Sequence, residues 1–148
     1  MSKHPKLLVL ALACLACSGN ASAAPASDEV ARLAQRCAPD VSPLTMAYIV
    51  GHESSNGPYR ININGSTQLK QQPRTEAEAV SVAKVLLKDN KSFDMGLAQI
   101  NSNNLVGLGL SVDDIFKPCI NLRASQTVLK TCYSSALKSY PAGQVALR

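Results

Sequence analysis

Apolar positions recur every three or four residues along much of the chain, and the breaks between these stretches fall at Pro, Gly and Asn. Ser27 precedes Asp28 and Glu29, and Val30, Leu33, Ala34 and Cys37 follow at helical spacing until Pro39. That pattern predicts an N-capped amphipathic helix. Ser42 followed by Pro43 predicts a second start, with proline at the first helical position. The helix from Pro43 to about Ser54 carries Leu44, Met46, Ala47, Tyr48, Ile49 and Val50, so it is apolar on nearly every side and is expected to be buried. Asn56-Gly57-Pro58 stops it.

The spacing then changes. Residues 60–66 alternate polar and apolar and end in Asn64-Gly65, which predicts a strand entering a turn, with residues 67–72 as the return strand. Thr75 and Glu78 form a capping box that opens a helix through Ala79, Val82, Ala83, Leu86 and Leu87. Residues 91–101, with Phe93, Met95 and Ile100, look extended in part. Ser111 starts a short helix ended by Pro118, and Asn121 is expected to cap a longer one running through Leu122, Val128, Leu129, Cys132, Tyr133, Ala136, Leu137 and Tyr140. Another apolar segment begins at Val145. No internal repeat or low-complexity linker interrupts the pattern. The fold class expected is α+β, mainly helical, with a small antiparallel sheet inserted among the helices.

Composition refines this picture. A chain of 148 residues suits one compact domain, and 46% hydrophobic with 17% charged residues describes a globular rather than a disordered chain. Trp is absent and Phe occurs only twice, so the core is expected to be aliphatic. The N-terminus has a different grammar. Lys3, His4 and Lys6 precede an apolar run from Leu7 to Ala16, and Ala21-Ser22-Ala23 follows, which is the pattern of a secretory signal over residues 1–23. The run is too short to span a bilayer, and no later run is long enough. Lipidation at Cys14 or Cys17 is the competing reading, but Leu stands one place too close to either cysteine for a good lipobox. The mature domain, residues 24–148, is thus expected in the periplasm or cell envelope.

The formal net charge of +5 falls by two when Lys3 and Lys6 leave with the signal. No basic run or aromatic-basic interleaving remains, which argues against nucleic acid as a partner. Export to an oxidising compartment makes a disulfide among Cys37, Cys119 and Cys132 an expectation.

Glu53 is the outlier among the polar residues. It shares a helix face with Met46, Ile49 and Val50 and sits near the negative end of the helix dipole. Burial and the dipole would both favour the protonated form that a general acid for glycosidic cleavage needs. The plainer reading is a helix-end carboxylate reaching solvent or an ion pair. His52-Glu53 also invites a zinc reading, but the second histidine of H-E-x-x-H is replaced by Asn56, and His52 is the only histidine after the signal. No metal or cofactor is expected, and a thiol nucleophile paired with His52 is weak for the same reason of export. Gly96-Leu97-Ala98-Gln99-Ile100-Asn101 combines a glycine with two amides, which suits a polar ligand such as a sugar and equally suits an ordinary turn.

In order along the chain, Glu53-Ser54, Ile61-Asn62-Ile63-Asn64-Gly65 and Gly96-Leu97-Ala98-Gln99-Ile100-Asn101 resemble the lysozyme-like lytic transglycosylases, in particular the small ones that accompany type IV secretion and conjugation systems. Cys37-Ala38-Pro39 and Pro118-Cys119-Ile120-Asn121-Leu122 resemble the same subgroup. The resemblance implies a lysozyme-like fold and a peptidoglycan glycan strand as substrate, with components of a secretion apparatus as partners. Glu53 would be the single catalytic acid. Ser54 would hydrogen-bond within the site, Gln99 would line the glycan cleft, and Gly96 and Asn101 would shape its loop. Ala98 stands where the family commonly has Met.

Asp94 is the best candidate for the second carboxylate that a retaining lysozyme keeps about 5–5.5 Å from its acid. The resemblance assigns no such nucleophile, so a strand-edge or turn carboxylate is the favoured reading. The family continues into a last helix whose Tyr closes the cleft, whereas this sequence ends at Arg148; on that comparison the domain reads as truncated. The alternatives kept open are an inactive glycan-binding or assembly protein of the envelope and a lysozyme-type hydrolase. The resemblance also implies a Cys37–Cys119 disulfide. Cys132 would then be a buried small hydrophobe on the stripe with Val128, Leu129 and Ala136, or pair with a segment beyond this chain.

Overall fold

A computed structural model describes residues 26–65 and 68–139, and it is α+β and mainly helical. The proposed signal segment, Cys14, Cys17, Tyr140 and the segment at Val145 lie outside the described residues. Helix α1 spans Ala26–Cys37 and α2 spans Pro43–Ser54, followed by strand β1 at Ile61–Ile63. Helix α3 covers Glu76–Lys88, and β2 (Phe93–Met95) and β3 (Ile100–Asn101) complete an antiparallel sheet in the order β1-β2-β3. Two one-turn helices, α4 (Leu105–Leu108) and α5 (Val112–Ile115), lead into the long α6, Pro118–Ser139.

The local signals explain most of these boundaries. Ser42 is the N-cap of α2 with Pro43 at its first position, and Ser55 closes it in the left-handed conformation. Thr75 Oγ1 accepts from the Glu78 amide at 3.2 Å, while the Glu78 carboxylate accepts from the Arg74 amide at 2.7 Å, one residue before the cap expected. Ser111 and Asp114 form a reciprocal capping box on α5. The Asp114 carboxyl is held below its ordinary value of 3.8 by hydrogen bonds from the Ser111 hydroxyl, then from Lys117 and the Ser111 amide.

Several expectations change. Helix α2 is not buried all round: Met46, Ala47, Val50 and Ser54 face the core, whereas Leu44 and Tyr48, one turn apart, are each 77% exposed. The core is not purely aliphatic, since Phe93 and Phe116 are its largest fully buried side chains. Residues 68–72 form no return strand; instead β1 pairs with β2, Ile61 opposite Met95 and Ile63 opposite Phe93. The free edge of β1 is closed by a side chain. The Gln72 amide accepts from the Ile61 N–H and donates to the Ile61 carbonyl, both at 2.9 Å, as a neighbouring strand would. Finally, α6 begins at Pro118, so Asn121 lies inside its first turn and is not its cap.

The first helix is tied to the last. Cys37 and Cys119 are joined in a disulfide across 82 residues of sequence. Beside it the Asp40 amide donates to Gln126 Oε1 at 2.8 Å, and Lys130 pairs with the Asp40 carboxylate. Cys132 is free and exposed, which overturns its assignment to the core: α6 carries no buried residue beyond Ser125 among those described.

Candidate active site

Glu53 occupies the last turn of α2, and the chain reverses immediately after it. Ser55 and Asn56 both take left-handed conformations, at φ 53° and 64°. The Gly57 amide closes the turn on the Ser54 carbonyl at 3.0 Å, and the Arg60 amide closes a second on the Gly57 carbonyl at 3.3 Å. A side chain at position 57 would put its Cβ 3.1 Å from the Ser54 carbonyl oxygen, so glycine keeps this reversal tight. These turns deliver the chain from Glu53 to β1.

The Glu53 side chain is 47% exposed, and its nearest charged neighbour is His52, with Nδ1 3.9 Å from Oε1. It accepts no hydrogen bond among the described residues. The expected desolvation is therefore absent: the apolar residues of α2 turn their buried face away from Glu53. Ser54 takes the buried position instead. It is 2% exposed and its hydroxyl donates to the Val50 carbonyl at 3.1 Å, so it faces the core. That bond lies in the last turn of α2, the turn that carries Glu53.

Gly96 and Gln99 bracket the turn between β2 and β3. Gly96 adopts φ +76°, and its amide donates to the Arg60 carbonyl at 2.9 Å, joining this turn to the end of the reversal that follows Glu53. Gln99 is left-handed at φ 47°, a conformation a non-glycine residue adopts only under constraint. The constraint is visible. Gln99 Nε2 donates to the Gly96 carbonyl at 2.8 Å and the Arg60 carbonyl at 3.2 Å, while Oε1 accepts from Asn62 Nδ2 at 2.8 Å. Both amide donors are thus used inside the protein, and what Gln99 offers outward is one acceptor lone pair and its shape. Asn101 Nδ2 donates to Asp94 Oδ1 at 2.7 Å and to Ser92 Oγ at 3.3 Å, and its Oδ1 caps the following 3₁₀ turn through the Asn103 amide. Asp94 lies at the middle of the central strand, not at an edge or in a turn.

Asn121, expected from the sequence to cap a helix and not to belong to the site, braces the 96–98 turn instead. It is 1% exposed, donates to the Met95 and Ile115 carbonyls at 3.0 and 2.9 Å, and accepts from the Ala98 amide at 2.8 Å. This buried amide uses both donors and one acceptor site, and it ties Met95 and Ala98, on either side of Gly96 and Leu97, to α6. Its only sequence signal is an amide at an otherwise apolar helical position beside Leu122. Among the described residues, no three His, Cys, Asp or Glu side chains group to hold a metal ion.

The family described as Transglycosylase SLT domain matches residues 32–146. The chain belongs to that family. Among curated proteins it is 41% identical over 109 residues to the type IV secretion system protein virB1 of Brucella suis, covering 74% of this chain and 45% of that protein. It is 37% identical over 150 residues to protein virB1 of Rhizobium radiobacter, covering 100% of this chain and 61% of that protein. Protein virB1 of Agrobacterium fabrum is 33% identical over 136 residues, 90% of this chain and 54% of that protein. The chain thus spans about half the length of these relatives. No solved structure matches it significantly.

Proposed function

We propose that this chain is the catalytic part of a peptidoglycan lytic transglycosylase that opens the cell wall locally for a type IV secretion or conjugation apparatus. The observation that carries the reading is the open carboxyl of Glu53, which accepts no hydrogen bond among the described residues, stands at a helix end and is linked through Arg60 to the braced 96–99 turn, in a chain of the SLT family. Glu53 protonates the glycosidic oxygen between N-acetylmuramic acid and N-acetylglucosamine, and the C–O bond to the leaving sugar breaks. The resulting carboxylate then takes the proton of the muramic 6-hydroxyl, whose oxygen bonds to the anomeric carbon. The product is a 1,6-anhydro ring, no water is consumed, and the acid is regenerated. Gln99 and Asn101 shape and line the glycan cleft. The route to this substrate is export to the periplasm or cell envelope; no described helix is long and apolar enough to cross a membrane.

Mass spectrometry of digested sacculi tests the reading. Anhydro-muropeptides are expected from the native protein, and Glu53→Gln, which keeps the shape without the proton, is expected to lower turnover by about 10²–10⁴-fold. Reducing ends would assign a lysozyme-type hydrolase instead. Absence of products would assign an envelope glycan-binding protein. Wild-type turnover by a folded Glu53→Gln protein would remove Glu53 as the acid.

A further inference from the structure

The two hydrogen bonds by which Gln72 closes the free edge of β1 also gather positive charge there. Lys70 and Arg74 stand two residues to either side of Gln72, and Arg60 directly precedes its partner Ile61. All three are exposed, and none of their side chains makes a hydrogen bond or ion pair among the described residues. Three lysines elsewhere on the surface do have carboxylate partners: Lys84 with Asp113, Lys117 with Asp114 and Lys130 with Asp40. Arg60 is held by its backbone alone. Its amide donates to the Gly57 carbonyl at 3.3 Å, and its carbonyl accepts from the Gly96 amide at 2.9 Å. Its origin is thus fixed at the end of the reversal that starts at Glu53, while its guanidinium is uncommitted.

We propose that this basic rim reads the peptide part of the substrate: Arg60, with Lys70 and Arg74 beside it, takes the carboxylates of the stem peptide carried by the muramic acid at the scissile bond. The proposal rests on the transglycosylase reading and adds to it which strands are preferred. The proposed reaction places a muramic residue against Glu53. The peptide hangs from that same sugar, so its carboxylates leave the site beside the acid. The sugar rings of a peptide-bearing strand are uncharged and offer unpaired cations no counterpart, whereas the peptide does. A guanidinium presents two parallel N–H donors to a carboxylate, which makes Arg60 the most specific of the three contacts. Lys70 and Arg74 add attraction that falls with distance and with salt.

The test measures binding without turnover. Glycan strands released from sacculi by an endopeptidase keep their stem peptides. Half of the sample has its peptide carboxylates capped as amides by carbodiimide coupling to excess ethanolamine. Both halves are titrated calorimetrically into the Glu53→Gln protein, and into the same protein carrying Arg60→Gln alone or together with Lys70→Gln and Arg74→Gln. Glutamine keeps the backbone bonds of Arg60 and the Arg74 amide bond to Glu78, and equal melting temperatures show that the fold is unchanged. An exposed ion pair is a few-fold effect in affinity. Uncapped strands are therefore expected to bind about 2–5-fold more weakly to the Arg60→Gln protein and about 10-fold more weakly to the triple variant, with no loss for capped strands. Equal binding of capped and uncapped strands, or a preference that survives the triple variant, overturns the rim and leaves the transglycosylase reading standing. No binding of either strand also overturns the rim, and the sacculus digest then decides the transglycosylase reading separately.

Discussion

Replacing Gly96 by alanine is expected to destabilise this protein far more than the same change at Gly109. Two costs add at position 96. The backbone is left-handed, at φ +76°, which costs an L-residue about 1–2 kcal/mol. The new Cβ would also stand 2.3 Å from Asn121 Nδ2 and 3.0 Å from Asn121 Cγ, with the Ile115 carbonyl oxygen 3.3 Å away. Asn121 is buried and cannot swing into solvent, so it must give up hydrogen bonds to Met95, Ile115 or Ala98. Leaving one such buried group without a partner costs about 1–3 kcal/mol. The sum is about 2–5 kcal/mol, a large share of the 5–15 kcal/mol that typically holds a domain of this kind together. Gly109 supplies the control. Its φ is +64°, but nothing lies within 4 Å of its Cβ position, so only the backbone cost applies. Urea denaturation at equal m-values would show the midpoint of Gly96→Ala falling by about 1–2 M more than that of Gly109→Ala. Repeating Gly96→Ala in an Asn121→Ala background should reduce its cost to that of Gly109→Ala, because the clash is gone. Equal losses at the two glycines, or an undiminished loss without Asn121, would refute the reasoning.

The other expectations concern the frame. Replacing both Cys37 and Cys119 by serine removes a cross-link over 82 residues, worth about 4.5 kcal/mol in the loop-entropy treatment, and should lower the denaturation midpoint correspondingly; an unchanged midpoint would contradict it. Asp114 is held below its ordinary value of 3.8, so its stabilising contribution is complete above that value and is lost as pH falls through the lower folded-state value. Asp114→Asn should accordingly be less stable than the native protein near neutrality and equal to it at the acid end of a pH series, and a difference that persists in acid would exclude this role.

The sequence carried the helices well because their signals are local. Ser42-Pro43, Thr75 with Glu78, and Ser111 with Asp114 each mark an end through contacts a few residues long. The sheet was harder. Asn64-Gly65 looks like a hairpin, but β1 pairs with residues about thirty positions later, and the segment after the turn reaches β1 through the side chains of Gln72 and Gln68. Alternation identifies a strand and its faces, not its partner. The burial of α2 was misjudged for a related reason: an apolar surface all round reports what a helix is made of, while its neighbours decide which part is covered. Glu53 and the 96–101 run were legible as candidates, and the disulfide followed from the family resemblance. Asn121 was not legible, because its role depends on a turn twenty-odd residues earlier reaching α6 in space.

These differences alter how the proposed acid would work. A carboxyl buried by its own helix would be prepared for proton donation before any ligand arrived. Glu53 is instead open to water, one residue from a serine that takes the buried position. The rigid parts of the site are the elements around it: the double reversal through Gly57, the 96–99 turn braced by Asn62 and Asn121, and the sheet beyond. In the proposed reading the protein therefore supplies position, and the exclusion of water from Glu53 falls to the bound glycan, since an acid that must start protonated is favoured when solvent is displaced around it. A carboxyl on a free helix end would wander relative to a long polymer. Anchoring its backbone on one side through Ser54 and on the other through Arg60 fixes its origin while leaving its oxygens uncommitted, which is the arrangement a group must have if it is first to give a proton and then to take one back.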